Sequence, residues 1–118
     1  MPKIKNARIF NGEDFIPVTA LRYENGIIAE MYDSCEDPDA LDAEGQILCP
    51  GFVDLHIHGS FGRDVLEPGG TAHLRQHLPS VGTTSFCPTN ATDTFDHIHS
   101  FLSEVKQEMQ QQSGTRIL

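Results

Sequence analysis

The order of elements predicted after Pro50 constrains the fold of this chain more than any other feature. Strand-like apolar runs alternate with helical patterns, in the order strand 52–58, helix 71–78, strand 83–87, helix 95–109 and opening strand 115–118. This alternation is typical of a parallel sheet whose strands are joined by helical crossovers. We therefore predict an α/β fold in which residues 49–118 are the first βαβαβ units of a (β/α)8 barrel. Such a barrel needs about 250 residues, so we expect this one to be truncated.

The predicted helices carry recognisable apolar faces. The buried side of the first helix is predicted to contain Leu74, Leu78 and Val81. In the second helix, apolar residues recur at intervals of three and four and form one stripe: Phe95, Ile98, Leu102, Val105 and Met109. Because such a stripe is the usual core-facing side of an amphipathic helix, we predict that it is buried. Thr92 or Asp93 is the predicted N-terminal cap.

Residues 1–48 are predicted to form a separate domain of short strands. The predicted strands are residues 4–10, 18–23, 27–32 and 46–48. Asn11-Gly12 and Asn25-Gly26 suit tight hairpin turns, because both residue types tolerate positive φ. The acidic stretch 35–42 contains Pro38 and is predicted to be a surface loop.

The charge and composition exclude several classes of partner. Seventeen acidic residues against eight basic ones give a formal net charge of −9. Such a chain repels phosphate backbones and anionic membranes, so we predict no nucleic-acid or membrane partner. An apolar run long enough to cross a membrane, about 18 residues, is absent from the sequence. The three cysteines form no CxxC pair, which is typical of reduced thiols, and we expect a cytoplasmic protein.

All six histidines occur in pairs, and two of the pairs are predicted not to bind metal. His97 and His99 lie two residues apart in a predicted helix, where side chains point about 200° apart. His73 and His77 are four apart, but the segment lacks the glutamate of a zinc-protease helix. We predict that His97 and His99 flank the buried stripe and face solvent, and that neither pair binds a metal.

The third pair, His56-Ile57-His58, is predicted to be a metal site. In a strand, residues two apart share a face, so Asp54, His56 and His58 line up together. The histidines lie at the carboxyl end of the strand, where barrels of this type place their chemistry. We predict that His56 and His58 bind one divalent ion and that Asp54 is an outer partner of these ligands.

The segment around these histidines resembles the first-strand motif of the amidohydrolase superfamily. Residues 50–59, PGFVDLHIHG, match the pattern P-G-(apolar)-(apolar)-D-x-H-x-H. Two further segments are similar to the N-acetylglucosamine-6-phosphate deacetylase family within it. These are the loop GSFGRD at residues 59–64 and the strand GTTSFCPT at residues 82–89.

The resemblance implies a function and an architecture. His56 and His58 would be ligands of a divalent metal ion, zinc first, with iron, manganese or cobalt as alternatives. The substrate would be a small amino-sugar phosphate, hydrolysed to acetate and glucosamine 6-phosphate by a homodimeric enzyme. Residues 1–48 would form part of a small β-sandwich. The family's remaining ligands and its general base are not matched in these 118 residues, so we expect the chain alone to be inactive.

Two alternative interpretations stay open. The first is another amidohydrolase, of the dihydroorotase, hydantoinase or D-amino-acid deacylase type, in which His56 and His58 keep their role. The second is a non-catalytic remnant that binds a partner. An open three-stranded parallel sheet with bare edges would favour such a partner.

Overall fold

The computed structural model describes residues 2–118 and has a mixed α/β fold with two compact units. The units divide after Pro50, whereas the sequence placed the domain division after residue 48. Met1, included in the predicted first domain, lies outside the described residues. In the described part, no helix is long and apolar enough to cross a membrane.

The unit formed by residues 2–50 is built of short strands. In chain order they are β1 (Lys3–Lys5), β2 (Arg8–Ile9), β3 (Ala20–Glu24), β4 (Ile27–Tyr32), β5 (Leu41–Asp42) and β6 (Ile47–Leu48). One sheet has the order β4-β3-β1-β5, with β1 antiparallel to β3 and parallel to β5. A second, two-stranded sheet pairs β2 with β6 in parallel. The predicted β3–β4 hairpin is confirmed, with its turn at Asn25-Gly26.

Two predictions for residues 2–50 are wrong. The expected strand 4–10 is divided into β1 and β2, because Asn6 adopts a positive φ of 56° that a continuous strand cannot accommodate. The Asn6 side chain instead donates to the Asp42 carboxylate at 2.9 and 3.0 Å. The predicted loop 35–42 ends in a strand, since Leu41 and Asp42 pair with Ile4 and Lys5.

The unit formed by residues 51–118 contains a three-stranded parallel sheet. Its strands are β7 (Phe52–Ile57), β10 (Thr83–Pro88) and β11 (Arg116–Ile117), in the order β11-β10-β7. A short hairpin of β8 (Gly59–Ser60) and β9 (Arg63–Asp64) follows β7. The parallel pairings confirm the predicted alternation of strands and helices in this region.

The helices α1 (Gly70–His77) and α2 (Phe95–Glu108) connect these strands. A 3-10 turn, Leu78–Val81, follows α1, with Pro79 near its start. The cluster of buried apolar side chains in this unit consists of Val65, Leu74, Leu78, Phe86, Phe101 and Ile117. Because this cluster joins both helices to β10 and β11, the unit has a core of its own.

The α2 stripe was predicted in the wrong rotational phase. Phe101, which is outside the predicted stripe, is buried, and Val105 packs against the core. Three predicted stripe members are exposed instead: Phe95, Leu102 and Met109. Val81, predicted to be buried beside α1, is also exposed. The cap of α2 is Thr94, whose hydroxyl accepts the His97 amide, and not Thr92 or Asp93.

Candidate metal centre

His56 lies near the carboxyl end of β7, and His58 directly follows the strand and carries its side chain to the same side. The two imidazole rings meet edge to face, with centroids 4.9 Å apart. Their Nε2 atoms approach to 3.1 Å, and both side chains are exposed. The two nitrogens that could hold an ion are therefore close enough to share one.

Asp54 lies two residues earlier on the same strand. Its carboxylate Oδ1 accepts the backbone N–H of His56 at 3.0 Å. This contact fixes the backbone that carries the first histidine. Asp54 therefore contacts the main chain of His56. In known metal sites, by contrast, the residue behind a histidine ligand usually accepts a hydrogen bond from the ring N–H.

Thr89, which sequence reasoning did not select, is the residue that contacts a ring nitrogen. Its carbonyl oxygen lies 2.7 Å from Nδ1 of His58. Thr89 follows β10, and β10 lies beside β7 in the sheet, so the parallel pairing brings the two strand ends together. The only sequence signal was its place at the end of the strand motif GTTSFCPT, because a backbone acceptor has no side-chain signature.

The hairpin after His58 forms an open concavity next to the histidine pair. Its volume is about 370 Å³, and its lining comes from His58, Gly59, Ser60, Gly62, Arg63 and Asp64. Gly59 faces the backbone of Arg63 so closely that a Cβ atom there would overlap the Arg63 carbonyl oxygen. The tight hairpin therefore requires glycine at this position and keeps the backbone accessible beside His58.

The other histidine pairs show no metal geometry. The rings of His73 and His77 stack with centroids 4.1 Å apart, and Nδ1 of His77 lies 2.8 Å from the carbonyl oxygen of His73. His97 and His99 are exposed, as predicted, and Nδ1 of His97 pairs with the Asp93 carboxylate at 2.7 Å. Stacked rings cannot both direct a lone pair at one ion, so His56 and His58 are the better candidates.

The geometry of His56 and His58 fits a divalent ion. Two imidazole nitrogens at about 2.0–2.1 Å from one tetrahedral zinc ion lie about 3.3–3.4 Å apart. The observed Nε2–Nε2 separation of 3.1 Å is within a few tenths of an ångström of that spacing. Within residues 2–118, no cluster of three or more histidine, cysteine or carboxylate side chains is assembled for a metal. The pair therefore offers two nitrogen donors.

Comparison with known proteins relates the chain to deacetylases and to other hydrolases. No protein-family model matches it. It is 30% identical over 109 residues to an N-acetylgalactosamine-6-phosphate deacetylase of Escherichia coli O157:H7, covering 91% of this chain and 28% of that protein. A dihydroorotase of Enterococcus faecalis is 30% identical over 122 residues, covering 98% of this chain and 27% of that protein. The N-acetylglucosamine-6-phosphate deacetylase of Mus musculus is 39% identical over 69 residues, covering 54% of this chain and 17% of that protein.

A solved structure supports the fold. The N-acetylglucosamine-6-phosphate deacetylase of Thermotoga maritima superposes with a TM-score of 0.71 at 23% identity, covering 91% of this chain and 28% of that one. The chain thus spans 17–28% of the length of these relatives. On these sequence matches, the chain is homologous, over part of their length, to N-acetylglucosamine-6-phosphate deacetylases, which are enzymes of the amidohydrolase superfamily.

Proposed function

We propose that this chain is part of a metal-dependent N-acetylglucosamine-6-phosphate deacetylase in which His56 and His58 bind the ion. The observation that carries the proposal is the 3.1 Å approach of the two Nε2 atoms at the carboxyl end of β7. The carboxyl ends of parallel barrel strands are where such enzymes place their chemistry, and we propose that residues 51–118 contribute to a (β/α)8 barrel. In the same proposal, residues 2–50 form part of a small β-sandwich.

The proposed reaction is hydrolysis of the N-acetyl amide to acetate and glucosamine 6-phosphate. A bound zinc, iron, manganese or cobalt ion would supply Lewis-acid polarisation of the amide carbonyl. The chain's own contribution is to hold two imidazole nitrogens together and to keep the concavity of residues 58–64 open beside them. Catalytic zinc sites usually have three protein ligands. We therefore expect the 118-residue chain alone not to hydrolyse the substrate.

We also propose a substrate class, an oligomeric state and a location for the enzyme. The substrate is a small amino-sugar phosphate, and the enzyme is a homodimer in the cytoplasm. The three cysteines, Cys35, Cys49 and Cys87, are free thiols, which fits a reducing compartment. The formal charge of −9 opposes binding to nucleic acid and to anionic membranes.

A second candidate function is that of a dihydroorotase or a related cyclic-amide hydrolase. Its support is the 30% identity to the Enterococcus faecalis dihydroorotase over 98% of this chain. His56 and His58 would keep the same role in it. Parallel assays of acetate release from N-acetylglucosamine 6-phosphate and of dihydroorotate hydrolysis by the natural gene product would separate the two candidates.

Zinc titration of the purified chain by calorimetry tests the metal site. We expect one ion per chain, and we expect His56→Asn or His58→Asn to weaken binding by at least about 10–100-fold, because each removes one of two ligands. His99→Asn is the matched control, since His99 is an exposed histidine on α2. Unchanged zinc affinity in both ligand variants would refute the site.

A further inference from the structure

Thr89 is held beside the end of β7 by three hydrogen bonds. Its backbone N–H donates to the carbonyl of Ile57 at 2.9 Å, and its hydroxyl donates to the carbonyl of Cys87 at 3.0 Å. Its own carbonyl oxygen lies 2.7 Å from Nδ1 of His58. Because the amide and the hydroxyl are both engaged, the direction of the Thr89 carbonyl is fixed by its surroundings.

The contact with Thr89 determines which nitrogen of His58 carries the proton. A carbonyl oxygen can only accept a hydrogen bond, so Nδ1 of His58 must be the donor. In a neutral imidazole, the other nitrogen then has a lone pair and no proton. His58 therefore presents a bare Nε2, the form in which imidazole binds a metal.

The same reasoning assigns the opposite tautomer to His56. The two Nε2 atoms are 3.1 Å apart, which is a hydrogen-bond distance. Since Nε2 of His58 has no proton, the donor must be Nε2 of His56. Without an ion, the two rings of the pair thus carry their protons on different nitrogens.

We propose that Thr89 is a positioning residue, whose carbonyl prepares His58 for metal binding, and that His56 changes tautomer when the ion binds. The inference rests on the proposed metal site. On binding, the proton of His56 leaves Nε2 for solvent and another proton is taken up at Nδ1, so the ring stays neutral. His58 needs no such change, and the two ligands are therefore not equivalent.

Nitrogen NMR of the chain labelled with ¹⁵N-histidine tests this directly. Spectra recorded before and after zinc is added report which ring nitrogen of each histidine carries the proton. The variants His56→Asn and His58→Asn show which signals belong to which ring, because each variant lacks one of the two histidines. Without metal, we expect the proton on Nδ1 of His58 and on Nε2 of His56. With zinc, we expect His58 to keep its Nδ1 proton and His56 to move its proton to Nδ1.

The outcomes separate this inference from the proposed function. A proton on Nε2 of His58 in the metal-free spectrum overturns the role of Thr89, whatever zinc does. If zinc leaves both rings unchanged, the metal site is wrong, and the metal-free spectrum still decides what Thr89 does. Zinc binding that leaves the proton of His56 on Nε2 overturns the tautomer change alone.

Variants of Thr89 test how the carbonyl is held. Thr89→Val removes the hydroxyl bond to Cys87 at nearly constant shape, and we expect about a tenfold loss of zinc affinity, with a smaller fraction of His58 protonated at Nδ1. Thr89→Ser restores the hydroxyl and should recover both readouts. Thr19→Val is the matched control, because its hydroxyl also donates to a backbone carbonyl, that of Asp33, in residues 2–50. If Thr89→Val changes neither the zinc affinity nor the tautomer of His58, the hydroxyl has no part in positioning the Thr89 carbonyl.

Discussion

The two units of the chain differ in the size of the buried apolar cluster that each one builds. In residues 51–118, the middle strand β10 has Phe86 fully buried among residues from both helices. In residues 2–50, the edge strand β4 leaves Ile27 69% exposed and Ile28 54% exposed. The exposed strand β4, with the sequence IIAEMY, is the more apolar of the two, since β10 has the sequence TTSFCP. Burial therefore follows the position of a strand in its sheet and the layer that covers it.

The core of residues 2–50 is correspondingly small. Its cluster of buried residues is Ala7, Ile9 and Leu21. Beside it lies an open apolar concavity of about 470 Å³, lined in part by Leu21, Ile28 and Met31. Edge strands leave apolar side chains exposed in residues 51–118 as well, since Val53 and Leu55 of the edge strand β7 are exposed. The comparison predicts that stability is concentrated around β10.

Truncation of one buried side chain in each unit should give the largest difference. We expect Phe86→Ala to lower the free energy of unfolding of its unit by about 3–5 kcal/mol, because the side chain is enclosed and its loss leaves a cavity. Leu21→Ala should cost its unit about 2 kcal/mol, at the low end for a buried leucine, because Leu21 lines an open concavity. Urea unfolding followed through assigned amide signals of each unit measures both values. An equal or larger loss for Leu21→Ala would contradict the comparison.

The second prediction concerns the ion pair that joins α1 to α2. Arg75 Nε donates to Glu108 at 2.7 Å, and the Arg75 side chain is only 7% exposed. Glu108→Gln leaves the buried guanidinium without its counter-charge, so we expect a loss of about 2–3 kcal/mol in urea unfolding. Glu24→Gln is the matched control in residues 2–50, where Glu24 accepts from Arg22 at 3.1 Å with its side chain 48% exposed. A pair this exposed should contribute much less. Equal losses in the two variants would show that burial does not set the strength of these pairs.

The sequence predicted the elements around the candidate site better than their contacts. Alternation of period two placed His56 and His58 on one face, and their rings do meet. The partner of His58 could not be predicted in this way. It is the backbone carbonyl of Thr89, 31 positions away, and hydrophobic patterns carry no information about backbone acceptors.

The wrong phase of α2 has a specific physical cause. Two glutamates lie on the inner side of the helix with Phe101, and a hydrophobic pattern assigns such residues to solvent. Glu104 accepts backbone N–H groups of Gly69 and Thr71 at the start of α1, at 2.9 and 3.1 Å. Glu108 binds Arg75. The free N–H groups of a helix start and a buried cation attract these carboxylates, and neither is visible in the periodicity of α2 itself.

The smallest predicted effect is a difference in acid sensitivity between the units. A hydrogen bond from Lys3 and the backbone N–H of Asp39 lower the pKa of Asp37 below its usual 3.8. The backbone N–H of Glu44 and the Asn6 side chain lower the pKa of Asp42 in the same unit. In residues 51–118, the backbone N–H of Thr94 and the imidazole of His97 lower the pKa of Asp93.

A carboxyl group with a lowered pKa in the folded state stabilises that state above its usual pKa, because the unfolded chain binds more protons as the pH falls. The stabilisation is lost as the pH falls from about 4 through the lowered value. Residues 2–50 contain two carboxyl groups with a lowered pKa, and residues 51–118 contain one. We therefore expect residues 2–50 to lose stability first on acidification. Thermal unfolding between about pH 5 and 2, followed unit by unit, measures this, and Asp37→Asn should flatten the slope for residues 2–50. Glu36→Gln, an equal charge change at the exposed neighbouring position, should leave the slope almost unchanged. If Glu36→Gln flattens it as much as Asp37→Asn, the effect comes from net charge and not from the Lys3–Asp37 contact.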